Sequence, residues 1–159
     1  MQSRTIIVSE INQFRLGRGL LAGLVATVVL SGLMLMKQVM GVMPQLNPVL
    51  MISHMLRAPL ALGWIMHFMI GTVIWGLLYA WLNPRLAGPQ WLRGAEFATG
   101  AWLVMMIMLM PMAGAGAFAL KLGMMAPLAT LMLHWVYGAV LGTVYGAGGG
   151  PQAVREAVA

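Results

Sequence analysis

The 159-residue chain contains no cysteine, which excludes disulfides, thiolate metal sites and thiol nucleophiles. Acid is nearly as scarce. Glu10, Glu96 and Glu156 are the three acidic residues, and none falls near the middle of an apolar segment, so a carboxylate proton relay or a proton-coupled transporter lacks its usual groups. The sequence holds no Ser-His-Asp set, phosphate-cradling glycine loop or His-Glu-x-x-His motif. Alternating strand periodicity is missing too, where a membrane barrel would display it.

What remains is apolar. Hydrophobic residues make up 61% of the chain and charged ones 8%, with a mean hydropathy of +0.89, far outside the range of soluble domains. Residues 19–36, 58–84, 97–120 and 122–154 are free of charge, and each run reaches the roughly 18 residues that a bilayer crossing needs. With strands excluded, helices are the spanning solution left. The expectation is an all-α membrane protein, a four-transmembrane-helix bundle with helices at about 19–40, 59–82, 94–113 and 126–146.

The formal net charge is +6, but the basic residues are scattered between the apolar runs rather than clustered as for nucleic acid. They report topology. Four spans put Arg4, Arg15, Arg18, Arg85, Arg93 and Arg155 on one side and Lys37, Arg57 and Lys121 on the other, which places both termini in the cytoplasm. Trp81 and Trp91 suit the inner aromatic belt, and Trp64 the outer one. Glu96 stands three residues from Arg93 and is expected to form an interfacial ion pair with it.

The chain divides into a basic N-terminal segment (1–17), a four-helix domain (18–147) and a tail (148–159). In the first segment Ile7, Ile11 and Phe14 recur at helical spacing between arginines, compatible either with a short helix on the inner surface or with a partly ordered tail. The first apolar run is expected to be retained, because Lys37-Gln38-Val39-Met40 follows it instead of a small-x-small cleavage site. Glycines 146 and 148–150 with Pro151 should end the last helix and leave the final eight residues mobile. Between the first two helices, Val49–Leu56 is expected to form a short outer helix carrying a wet, interfacial His54.

The chain also reads as a repeat, since residues 58–71 read APLALGWIMHFMIG and 126–138 read APLATLMLHWVYG, each with glycine four residues after a histidine. Arg18-Gly19 likewise matches Arg93-Gly94, and Met34-Leu35-Met36 matches Met108-Leu109-Met110. The reading is two tandem helical hairpins related by a pseudo-two-fold axis along the membrane normal. Pro59 and Pro127 then stand in the first turns of helices two and four, where a missing N–H costs nothing.

His67 and His134 thereby fall at one depth on two parallel helices, roughly 10 Å below the outer surface at 1.5 Å per residue. An ionisable residue inside a membrane helix marks a site by default. Rows of Gly63, His67, Gly71 and of Thr130, His134, Gly138, Gly142, Gly146 turn both rings into the bundle, since small residues mark helix contacts. Three readings stay open. His67 and His134 are the axial ligands of one b-type haem in a membrane electron carrier, a plan similar to that of membrane cytochromes b. Alternatively they join Met36 and Met110 in a copper site, for thioether and imidazole suit Cu(I). In the third they bind no cofactor and tie helices together through Ser31, Thr130 or backbone carbonyls, with Gly19, Gly23, Gly63, Gly71, Gly138, Gly142 and Gly146 favouring close packing.

Through Arg18–Gly23, Met34–Met36, Ala58–Gly71, Met108–Gly116 and Ala126–Gly146 the chain resembles a family of small bacterial inner-membrane proteins known as a domain of unknown function. The likeness covers about residues 15–147. It implies a four-helix integral membrane protein and carries no activity or catalytic residue with it. The function expected is a small non-catalytic inner-membrane protein, accessory to a respiratory or metal-handling complex or self-associating, in contact with lipid and not with nucleic acid.

Overall fold

The computed structural model describes residues 2–148, with side-chain surroundings from Arg15 onward. Among these residues all regular structure is helical. Helix α1 (Gln2–Val39) is followed by the short α2 (Pro48–Leu56). The next rod joins α3 (Leu60–Phe68), a π-helical segment (Met69–Ile74) and α4 (Trp75–Leu82). A second composite rod joins α5 (Gln90–Val104), another π segment (Met105–Leu109) and the single turn α6 (Met110–Met112). Helix α7 (Met125–Ala147) closes the fold. Four stretches are long and apolar enough to cross a membrane: Arg15–Val39, Leu60–Arg85, Gln90–Met112 and Met125–Ala147, called the first to fourth spans below.

The first span packs on the second and the third on the fourth, and the first also lies along the fourth. The second and fourth spans therefore stand diagonally across a bundle of two hairpins. Glycine closes each hairpin. A Cβ on Gly19 would stand 2.5 Å from the Gly76 carbonyl oxygen and 2.7 Å from the Ala80 Cβ, and one on Gly23 would stand 2.8 Å from the Thr72 oxygen. In the other hairpin Gly94 lies against Gly138 and Gly142, so that a Cβ on Gly94 would reach the Gly142 nitrogen at 2.8 Å. Close backbone approach of this kind is how apolar helices gain contact where no hydrophobic force separates them from lipid.

The glycine rows act inside the hairpins and leave the space between the second and fourth spans to larger groups. At the end opposite α2, the Tyr79 and Tyr145 rings meet edge-on at 5.3 Å between centroids, within a core that also holds Ala22, Ala26, Phe97, Ala98, Tyr137 and Leu141. Arg18 stacks on the Tyr145 ring, 4.5 Å from its centroid, and donates to the Tyr145 carbonyl, where a cation complements the last turns of a helix. A second core gathers Leu46, Met106, Met110, Ala115, Ala119 and Ala126 toward the α2 end. Helix α2 begins as its residues dictate: the Asn47 side chain accepts from the Leu50 N–H at 3.1 Å, with Pro48 next. It lies on α3 where Gly63 leaves room for the Val49 carbonyl.

Two expectations are corrected. The N-terminal segment is no separate surface helix, because α1 runs unbroken from Gln2 into the first span. Where Ile7, Ile11 and Phe14 point lies outside the described residues, as does the tail from residue 149. Arg93 does not hold Glu96; its Nε donates instead to the Gly88 carbonyl at 2.7 Å, and Glu96 is exposed. The loop between the second and third spans offers a fixed acceptor nearby, which costs less side-chain freedom than an exposed ion pair.

Candidate functional site

Between the two cores the spans diverge around a cavity of about 130 Å³. His67 and His134 both line it, from the second and fourth spans, with Thr27 of the first and Met105 of the third. The two matching histidines therefore border one space, which close packing does not fill. Both rings find the partners that the sequence offers. His67 Nε2 lies 3.2 Å from the Ser31 Oγ, across the first hairpin. His134 Nδ1 lies 2.7 Å from the Thr130 carbonyl oxygen, one turn back on its own helix. A carbonyl only accepts, so Nδ1 carries the proton and a neutral ring keeps its lone pair on Nε2. Among the described residues no hydrogen bond reaches that nitrogen. A ligating histidine is held in the same way, with its other N–H anchored on an oxygen.

The floor of the cavity is Tyr137, whose hydroxyl donates to the Gly71 carbonyl at 2.7 Å and joins the fourth span to the second. Its signal was in the sequence: a tyrosine at mid-membrane must find an acceptor for its O–H. The π-helical segments are the other feature unread from sequence, and both reach the cavity, through Ile70 and Gly71 in one and Met105 and Leu109 in the other. Widened turns of this type recur at functional sites. The one in the third span has an identifiable cause, for Pro111 has no N–H to offer the Ile107 carbonyl four residues earlier.

A smaller cavity of about 50 Å³ adjoins the first on the α2 side. His134 lines both. The expected methionine ligands separate here. Met110 is 2% exposed and lines the smaller cavity, whereas Met36 is 54% exposed and lines neither. Met34, buried at 6% exposure, takes the place expected for Met36. Periodicity locates the depth of Met34 and Met36 but not which of the two faces inward. His54 is exposed on α2 and outside both cavities.

The larger cavity compares with the roughly 150 Å³ void that admits one benzene. A porphyrin carries four five-membered rings on one plane, so seating a haem between His67 and His134 would require the hairpins to part. A bare ion needs no such movement. Glu96, the carboxylate whose side chain is described, is distant: it precedes Met105 by nine residues, about 14 Å along a helix, and among the described residues no three of His, Cys, Asp and Glu converge on a metal position. The donors that line the larger cavity are neutral: two imidazoles, the hydroxyls of Thr27 and Tyr137, and the Met105 thioether.

Nothing among curated proteins or solved structures matches this chain. Residues 15–155 match the family of unknown function DUF6789, and the chain belongs to that family.

Proposed function

We propose that this is a small, non-catalytic integral protein of the bacterial inner membrane that serves as an accessory component of a metal-handling complex. The observation that supports it is the pair of histidines lining one cavity, with the His134 ring anchored through Nδ1 so that Nε2 keeps its lone pair. The distance of Glu96 from that cavity along the third span argues against its serving hydrolytic or proton-relay chemistry there. The six-to-three division of basic residues supports cytoplasmic termini.

The two hairpins are read as copies. Tyr79 follows His67 by twelve residues and Tyr145 follows His134 by eleven, and the π segment between His67 and Tyr79 takes up the extra residue. Gly19 against Gly76 corresponds in the same way to Gly94 against Gly142.

The test is the metal content and visible spectrum of the purified full-length protein, before and after dithionite and after loading with transition-metal ions. A colourless protein that binds one metal ion and loses it in His134→Ala is the expected result. A Soret band abolished by His67→Ala or His134→Ala would replace this reading with the haem electron carrier, and failure to take up any metal would end it.

A further inference from the structure

The larger cavity has room for a guest of one ring. Its volume of about 130 Å³ approaches the roughly 150 Å³ of an apolar void that stays dry and takes up benzene. No charged side chain lines it, which excludes an ionic guest, since a buried charge needs a partner. Most of the wall is apolar and part of it is aromatic, with Trp75 and Tyr137 beside the two imidazoles. Aromatic faces and edges favour another ring, and a few polar groups on an otherwise apolar wall fix how a guest lies.

An acceptor on this wall is unused. The Thr27 hydroxyl donates to the Gly23 carbonyl and the Tyr137 hydroxyl to the Gly71 carbonyl, each at 2.7 Å, while His67 Nε2 stands at the Ser31 hydroxyl. His134 Nε2 keeps its lone pair, because Nδ1 carries the proton. Nor is that nitrogen sealed, unlike the partnerless Thr72 hydroxyl oxygen, which is fully buried. His134 borders both cavities, but the smaller has a wholly apolar wall, so of the two only the larger offers a guest any polar atom.

We propose that the larger cavity binds one monocyclic phenol drawn from the membrane, its ring against Trp75 and Tyr137 and its hydroxyl donating to His134 Nε2. A hydroxyl suits the position because the nitrogen accepts and a ring without a donor leaves it unsatisfied. A second fused ring exceeds the space. The proposal goes beyond the metal-handling reading and does not rest on it, since a ring and an ion would contend for the same nitrogen.

A way in lies between the second and third spans. These pack on each other chiefly where α4 nears α5. Farther along, the π segments Met69–Ile74 and Met105–Leu109 make little contact with each other, and both reach the cavity, through Ile70 and Leu109. A ring dissolved in lipid can therefore enter sideways between them.

The test uses full-length protein in detergent micelles and fluorine NMR with 4-fluorophenol, with fluorobenzene, which lacks the hydroxyl, and with 4-fluoro-1-naphthol, which carries a second ring. Empty micelles give the reference signal for each probe. The expected result is a saturable signal from one bound 4-fluorophenol per chain and none from the naphthol. His134→Leu should weaken 4-fluorophenol binding about fivefold, as expected for one net hydrogen bond, without weakening fluorobenzene. Ala101→Leu, which adds bulk to the buried wall, should abolish both, and Met132→Leu, on an exposed face of the fourth span, should change neither. Helical circular dichroism confirms that each variant is folded, and the probe series on the unaltered protein tests the size argument without them. Absence of a bound 4-fluorophenol signal, binding of the naphthol, a signal that survives Ala101→Leu, or equal effects of His134→Leu on the two single-ring probes would overturn the proposal. Metal uptake without phenol binding leaves the metal-handling reading standing alone, and phenol binding without metal uptake ends that reading and upholds this one.

Discussion

Gly138 and Gly100 are indistinguishable by composition, each a glycine inside an apolar helix, yet one added methyl group should affect them oppositely. A Cβ at Gly138 would stand 2.6 Å from the Ala98 Cβ and 2.7 Å from the Gly94 carbonyl carbon. Carbon atoms at rest lie about 3.5–4.0 Å apart, so the third and fourth spans must separate by about 1 Å. A gap of that size forfeits a quarter to a half of the dispersion energy of the contacts across it, and overpacking of this kind costs about 1–3 kcal/mol. Alanine's intrinsic advantage over glycine in a helix is about 1 kcal/mol, so strain wins at Gly138. At Gly100 nothing lies within 4 Å of the same Cβ, and only the propensity gain remains. The assay is unfolding by sodium dodecyl sulfate from mild detergent micelles, followed by circular dichroism. Gly138→Ala should lower the midpoint while Gly100→Ala leaves it unchanged or raises it. Equal midpoints for the two variants would refute the close crossing of the third and fourth spans.

Three further outcomes are expected. A reporter fused after Ala159 should be active only in the cytoplasm and one inserted at Gly41, in the exposed turn before α2, only outside; a periplasmically active C-terminal fusion would overturn the proposed topology. Tyr137→Phe removes one hydroxyl and no ring, and should cost about 0.6–1.7 kcal/mol in the same unfolding assay, the range for hydrogen bonds between membrane helices; no change would show that the Gly71 carbonyl has another donor. Asn47→Ala removes the α2 cap and should cost about 1 kcal/mol, with Asn47→Asp restoring most of it, and hydrogen exchange at Leu50 should quicken in the alanine variant alone.

The spans were legible because a bilayer imposes one requirement, about 20 apolar residues with every backbone group satisfied internally, and four charge-free runs meet it. The short outer helix was legible too, as the apolar run Val49–Leu56, whereas its cap at Asn47 emerged with the structure. Counting residues along rigid helices predicts one depth for His67 and His134. What counting could not supply was the third dimension. Small-residue rows announce a helix contact without naming the partner, so the glycines that suggested a closed interface between the histidine-bearing helices close the hairpins instead. The same limit applies to methionine. Met34 and Met36 share a depth, but their azimuth on the helix depends on which neighbours the first span meets, and that sends one to a cavity wall and the other to the surface.

By itself, then, the sequence determined the class of the fold and its four apolar spans, because each depends on local chain chemistry and on the thickness of the membrane. Only the tertiary structure decided that the imidazoles of His67 and His134 line one cavity with Tyr137, that π-helical turns reach its walls, and that His134 also borders a second, smaller cavity. These arrangements are set by the rotation and spacing of whole helices against one another, quantities fixed by the sum of contacts from residues far apart in the chain and carried by no single segment of it.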